Sequence, residues 1–173
     1  MTKNILNLTN FHLPRWSELP TMELYSDQVI SYILDVLAPL RLDEEDPLLT
    51  TSMINNYVKC RLIPPTNKKR YNQRHISFLI VVCVFKKIYS IPKIIQMIDI
   101  QKKIFETQVA YDYFCAELEN SLQNISITEI KLAADTTKTG REERLFVRAS
   151  VNAFALKLMV EAYLKSKDSS PEQ

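Results

Sequence analysis

Residues 50–75 read TTSMINNYVKCRLIPPTNKKRYNQRH, and this stretch decides the predicted fold. Its first residues carry hydroxyl side chains that can cap a helix, and the apolar and polar positions then separate onto two helix faces. One face is apolar: Met53, Ile54, Tyr57 and Val58. The other face is polar: Ser52, Asn55, Asn56 and Lys59. The spacing predicts an amphipathic helix whose polar edge is free to contact a partner. Taken alone, this pattern slightly favours an ordinary amphipathic surface helix, and the loop that follows shifts the balance towards a binding edge.

A short, proline-stiffened loop follows, Ile63-Pro-Pro-Thr-Asn-Lys-Lys-Arg-Tyr71, with three adjacent cations. Such a loop suits a phosphate backbone, because lysine and arginine release counterions when they bind it. Asn72 can cap the next helix and place Arg74 and His75 in its first turn. A cation there opposes the helix dipole, and an anionic partner would relieve that cost. We expect His75 to be a surface or capping residue and not a catalytic base.

Charge is strongly segregated along the chain, although the net charge is only +2. Residues 1–46 hold eight acidic and three basic side chains, whereas residues 47–98 hold nine basic and no acidic ones. The remainder holds twelve acidic and ten basic side chains. A solvated surface usually mixes both signs, so the middle segment predicts a polyanion-binding face. The alternative is that the acidic N-terminal segment folds over this region and neutralises it.

Composition excludes several classes of enzyme. Gly140 is the single glycine among the 173 residues, whereas phosphate cradles and dinucleotide fingerprints need several glycines at fixed offsets. The three cysteines are far apart, and His12 and His75 lie at no ligand spacing from another His or Cys. With no nucleophile motif and no paired carboxylates near a histidine, we predict neither an enzyme nor a cofactor or metal site.

The remaining sequence predicts a mostly helical chain. An N-terminal arm, residues 1–25, has Trp16 as its anchor, and a helix starts at Ser26 or Asp27 and ends before Pro39. Further helices are predicted from Ser90, from Gln101 to Asn124, and up to about Lys167. Capping boxes are predicted at Ser126 and Thr139, and the last helix is apolar enough to need burial by the long helix or by a second subunit.

We find no apolar run near the ~18 residues that span a bilayer and no secretory signal. The sequence therefore predicts a cytoplasmic protein.

The order of capped helix, Leu62-Ile-Pro-Pro65 loop, basic residues, apolar helix and Ser90-Ile-Pro-Lys-Ile94 resembles the MerR-like winged helix-turn-helix from Thr50 to about Ile100. The whole chain more closely resembles the bacterial family called domain of unknown function 1836. That resemblance rests on Leu13-Pro-Arg-Trp16, Leu24-Tyr-Ser-Asp-Gln-Val29 and Ser52-Met-Ile-Asn-Asn-Tyr-Val-Lys59.

The resemblance implies a transcriptional regulator with no assigned chemistry. Its recognition helix would carry Ser52, Asn55, Asn56 and Lys59, and its wing Lys68, Lys69, Arg70 and Tyr71. The link between the first two helices is longer than a helix-turn-helix usually has, and the wing lacks glycine.

We therefore expect a mainly α protein, a winged helix-turn-helix with a short β wing at most and a C-terminal helical extension. Residues 26–101 would form the DNA-binding domain, and residues 102–173 a dimerisation or regulatory region. The expected partner is double-stranded DNA, bound by a homodimer. The predicted DNA contacts are Thr51, Ser52, Asn55, Asn56, Lys59, Lys68, Lys69, Arg70, Tyr71 and Arg74. The alternative is a protein-interaction module whose cationic face binds an acidic protein.

Overall fold

The computed structural model describes residues 8, 10–43, 45–125, 131, 132, 134 and 142–168, and in this part of the chain the regular structure is helical. The α-helices are α1 (Ser26–Leu37), α2 (Thr51–Lys59), α3 (Gln73–Phe85), α4 (Ile91–Ile104), α5 (Thr107–Asn124) and α6 (Glu142–Asp168). Single 3-10 turns lie at Trp16–Glu18 and Ala38–Leu40. The predicted mainly α class is confirmed. No described helix has both the length and the apolar character needed to cross a membrane.

Side-chain caps set the starts of α2 and α3 where the sequence predicts them. The Thr50 hydroxyl oxygen accepts a hydrogen bond from the backbone N–H of Met53 at 3.2 Å. The Asn72 side-chain oxygen accepts from the N–H groups of Arg74 and His75 at 3.1 and 3.3 Å. Each cap satisfies amide groups that have no partner inside the helix, which fixes where the helix begins.

The predicted helix from Gln101 to Asn124 is wrong at its start. α4 continues to Ile104, Phe105 and Glu106 are extended, and α5 begins at Thr107. Phe105 still donates its N–H to the carbonyl of Gln101 at 2.9 Å, but its ψ of 145° turns the chain out of the helix. The capping boxes predicted at Ser126 and Thr139 lie outside the described residues.

α3 is the central element of the core. Its residues from His75 to Val84, except the half-buried Val81, are buried, and the helix packs against α1, α5 and α6. A helix that is apolar all round needs neighbours on every side, which explains this position. α6 packs mainly on α5. This agrees with the prediction that the long helix covers it, which was one of two alternatives, the other being a second subunit. Leu145, Val160, Tyr163 and Leu164 of α6 remain exposed.

Residues 11–24 pack as an arm across α5 and the start of α3. Glu119 of α5 accepts hydrogen bonds from the Arg15 guanidinium at 2.8 and 2.6 Å and from the Leu13 N–H at 2.7 Å. Asp112 accepts from the Trp16 N–H at 2.7 Å, and the Gln73 amide donates to the Trp16 carbonyl at 3.1 Å. The arm therefore joins the C-terminal helices to the segment that carries the candidate site.

Candidate nucleic-acid interface

α2 presents one polar face to solvent, as its sequence predicts. Ile54 and Tyr57 are buried, and Met53 and Val58 are half-buried against the core. The residues of the opposite face are exposed: Thr51, Ser52, Asn55, Asn56 and Lys59. Because the helix packs on α1 through its apolar side, these five side chains are held in a fixed order along one accessible edge.

The C-terminus of α2 places a further cation, Arg61, in solvent. The N–H of Leu62 donates to the carbonyl of Tyr57 at 2.9 Å, and that of Arg61 donates to the carbonyl of Val58 at 3.1 Å. These two hydrogen bonds form a Schellman motif, whose left-handed residue is usually glycine. Here it is Arg61, with φ of 60°. Arg61 is not among the predicted DNA contacts, and the positive charge of its side chain is the one sequence signal that points to it.

Lys68 and Lys69 form the tip of a tight turn. The N–H of Arg70 donates to the carbonyl of Asn67 at 2.9 Å, which closes a four-residue turn. Lys68 and Lys69 have φ of 48° and 58°, as the two central residues of a type I′ turn require. In the described chain, β structure consists of two isolated bridges, Asn67 with Arg70 and Leu24 with Tyr71. The predicted wing is therefore a single turn.

Tyr71 does not belong to the exposed surface on which the sequence analysis placed it. Its side chain is 3 % exposed, and its backbone exchanges two hydrogen bonds of 2.9 Å with Leu24. Burial also raises the pKa of its hydroxyl. The neighbouring Arg70 is exposed, and its guanidinium lies 4.9 Å from the ring centre of Tyr25 and donates to the Tyr25 hydroxyl at 2.9 Å. Tyr71 thus anchors the turn, while Arg70 stays accessible.

The first turn of α3 contributes Arg74 but not His75. Arg74 is exposed, whereas His75 is 6 % exposed and its Nδ1 lies 3.2 Å from the N–H of Asn72 as part of the cap. The other ring nitrogen, Nε2, lies 3.4 Å from the carbonyl of Pro65, which ties the loop to α3. Burial lowers the pKa of His75. Of the two predicted alternatives, a surface residue or a capping residue, His75 is the capping residue and is buried.

Residues 59–74, here called the basic segment, carry six exposed cations: Lys59, Arg61, Lys68, Lys69, Arg70 and Arg74. Within the described residues, no carboxylate forms an ion pair with any of them. Residues 43–46, between α1 and α2, are an acidic run here called the acidic connector. Its Asp46 lies at the other end of α3 and pairs with Lys87, and Lys86 donates to the carbonyl of Leu48. Among the described residues, Lys87 is the one cation of residues 47–98 that forms an ion pair with a carboxylate of residues 1–46.

Comparison with known proteins assigns a family but no activity. Residues 14–114 match the family model described as Domain of unknown function (DUF1836). The two ends of this range touch, since the Tyr111 hydroxyl donates to the Pro14 carbonyl at 2.8 Å. No curated protein and no solved structure matches the chain. Because the match spans more than half of the 173 residues, the chain belongs to the family called domain of unknown function 1836.

Proposed function

We propose that this protein binds duplex DNA through the polar face of α2 and the basic segment, and that it acts as a transcriptional regulator. The observation that carries the proposal is the set of exposed cations between Lys59 and Arg74, which have no carboxylate partner among the described residues. A cluster of one sign on adjoining elements attracts polyanions and steers their approach.

Each part of the surface has a role that follows from its chemistry. Asn55 and Asn56 can form paired hydrogen bonds with the N6 and N7 edge of adenine in the major groove. Lys68 and Lys69, at the tip of their turn, suit phosphate oxygens, which position the protein without reading sequence. Arg74 lies at the N-terminus of α3, where a phosphate would also offset the unfavourable dipole interaction.

The order of elements supports a winged helix-turn-helix reading of this surface. α1 packs on α2, and α2 is followed by the 67–70 turn and then by α3. In that arrangement α2 is the recognition helix and the turn is a reduced wing. A homodimer would place two copies of α2 on successive half-sites of a two-fold operator. The segment 38–50 between α1 and α2 is longer than a compact turn, and it carries the acidic connector on the side away from the basic segment.

The test is the salt dependence of DNA binding by the full chain, measured by fluorescence anisotropy on a random-sequence duplex. Replacing both turn lysines, Lys68→Ala with Lys69→Ala, should reduce the slope of log affinity against log salt by about two, since each phosphate contact contributes ~0.9. The matched control is Lys157→Ala with Lys167→Ala on α6, which removes the same charge and should leave the slope unchanged.

Three outcomes would contradict the proposal. The proposal is excluded if the wild-type protein binds no duplex at low salt. It is also excluded if the salt slope falls equally in the α6 control and in the variant that lacks Lys68 and Lys69. Capture of an acidic protein through the basic segment, with no nucleic acid bound, would establish the protein-interaction alternative instead. Asn55→Ala with Asn56→Ala separates the two kinds of contact, because it should reduce discrimination between sequences and leave the salt slope intact.

A further inference from the structure

A half-enclosed cavity of about 60 Å³ lies where α3, α4, α5 and the start of α6 meet. Its walls are almost entirely apolar, with Phe78 and Phe85 from α3, Phe114 from α5 and Phe146 from α6. The break between α4 and α5 brings Phe105 into the lining, and the Arg144 guanidinium lies 5.1 Å from the centre of that ring. In one wall Phe85 and Phe114 pack edge to face, with their ring centres 5.3 Å apart.

Most polar groups of the lining already have partners inside the protein. The Ser77 hydroxyl donates to the Arg74 carbonyl at 2.9 Å, and the Gln101 amide donates to the Glu143 carbonyl at 2.7 Å. The charged residue of the lining is Lys102, whose Nζ lies 4.8 Å from the ring centre of Phe78. Among the described residues, no carboxylate lies within ion-pair distance of Lys102.

Lys102 is an exposed residue, and the protein covers only part of its side chain. Partial burial lowers its pKa, Asp99 opposes that effect, and the nearby Arg74 adds repulsion. The ring of Phe78 compensates one face of the ammonium group, but a cation–aromatic contact is weaker than a carboxylate partner. An anion placed beside Phe78 would therefore find an available donor at the mouth of an apolar cavity.

We propose that this cavity binds a small carboxylic acid with an unbranched apolar chain. The end of the chain fills the 60 Å³ between the aromatic rings, and the remainder extends past Phe105. The carboxylate then pairs with the Nζ of Lys102. The combination of a mostly apolar lining with one convergent charged group is the usual composition of a small-molecule site. The inference does not depend on DNA binding.

Isothermal titration calorimetry of the full chain with hexanoate tests this site, with hexan-1-ol as the neutral probe. Wild type should bind hexanoate with a Kd on the order of millimolar, and hexan-1-ol about tenfold more weakly. Lys102→Gln should lower hexanoate affinity to that of the alcohol and leave the alcohol unchanged. Ala110→Leu adds three carbons to the cavity lining and should abolish binding of both probes.

Two neighbouring substitutions serve as matched controls. Lys103→Gln removes an adjacent exposed charge, and Val109→Leu enlarges an exposed side chain beside Ala110; neither residue lines the cavity, so both variants should bind hexanoate as wild type does. Equal affinity of wild type for acid and alcohol, absence of hexanoate binding, or equal losses in Lys102→Gln and Lys103→Gln would each overturn the proposal. The Lys102→Gln comparison remains decisive if Ala110→Leu does not fold.

Discussion

Arg61, Lys68 and Lys69 hold left-handed backbone conformations that glycine or asparagine would adopt more easily. For ordinary residues this conformation costs about 1 kcal/mol each. All three are exposed cations of the basic segment. The residues whose backbone conformation lowers stability are therefore also residues of the proposed DNA-binding surface. The coincidence allows stability and DNA binding to be separated by mutation.

The double variant Lys68→Asn with Lys69→Gly should raise the free energy of unfolding while it lowers DNA affinity. Asn-Gly is the preferred pair for a turn with two positive φ angles, and we expect about 1 to 2 kcal/mol of stabilisation. Urea unfolding and fluorescence anisotropy measure the two effects. Because the variant is more stable, its loss of binding cannot be attributed to misfolding. A stabilised variant with an unchanged salt slope would show that these lysines do not contact phosphate.

His75 should make stability depend on pH just below neutrality. Burial lowers the pKa of the native His75 from its ordinary 6.5, so the unfolded chain takes up a proton there more readily. The contribution of this residue to stability is then largest above pH ~6.5 and declines as the pH falls towards the native pKa.

Thermal unfolding between about pH 7.5 and pH 5.5 tests this expectation, in a range where carboxylates stay ionised. The melting temperature of wild type should fall across the range. His75→Gln keeps a side chain that can complete the capping box with Asn72, and its melting temperature should change less. Parallel curves for the two proteins would rule out His75 as the source of the pH dependence.

At the scale of elements, caps and apolar periodicity predict α1, α2, α3 and α6 from sequence. Thr50 and Asn72 cap the helices that they were expected to cap, since an N-cap acts on amides two or three residues away. The break at Phe105 was not predictable, because neither glycine nor proline marks it and apolar residues continue at helical spacing on both sides. At the break, Phe105 packs beside Arg144 of α6, a contact between residues far apart in sequence that no local pattern reveals.

The candidate site shows the same division between local and distant causes. The exposed edge of α2 follows from its sequence alone, whereas the burial of Tyr71 depends on pairing with Leu24 across a distant part of the chain. The left-handed Lys68 and Lys69 contradict the local preference for glycine, so turn chemistry gave no signal for them. Contacts between residues far apart in sequence, such as Arg15 with Glu119, have no local signature at all.

Glu119→Gln should loosen the arm from α5. Burial opposes ionisation of Glu119, but hydrogen bonds from Arg15 and Leu13 outweigh it and hold the pKa of the carboxyl below its ordinary value. Removing the charge leaves the partly buried Arg15 without its carboxylate, and we expect a loss of about 2 kcal/mol in the free energy of unfolding. Urea unfolding measures the loss, and faster trypsin cleavage after Arg15 reports release of the arm.

Glu161→Gln is the matched control for Glu119→Gln. It disrupts an exposed pair with Lys157 one turn away on α6 and should cost about 0.5 kcal/mol or less. Similar losses in the two variants, or unchanged trypsin cleavage in Glu119→Gln, would mean that the ion pair with Arg15 does not hold the arm in place.

At the scale of the whole molecule, the ring of Phe78 links the cavity to the basic segment. Lys102 of the cavity lies 4.8 Å from its centre, and Arg74 of the basic segment lies 5.9 Å from the same ring. A carboxylate bound at Lys102 would add a negative charge close to Arg74, and so would oppose an approaching phosphate. Both proposals together therefore predict that the acid weakens DNA binding.

Saturating hexanoate should lower DNA affinity about two- to fivefold, the size expected for one added charge at a partly screened distance. By reciprocity, DNA should lower hexanoate affinity by the same factor. Anisotropy titrations with and without hexanoate, and calorimetry with and without duplex, measure the two factors. Hexan-1-ol carries no charge and should leave DNA affinity unchanged, as should hexanoate added to Lys102→Gln. If hexanoate saturates the wild-type cavity and DNA affinity stays unchanged, the two sites are independent. The carboxylate bound at Lys102 then does not affect phosphate binding at Arg74, although both side chains contact Phe78.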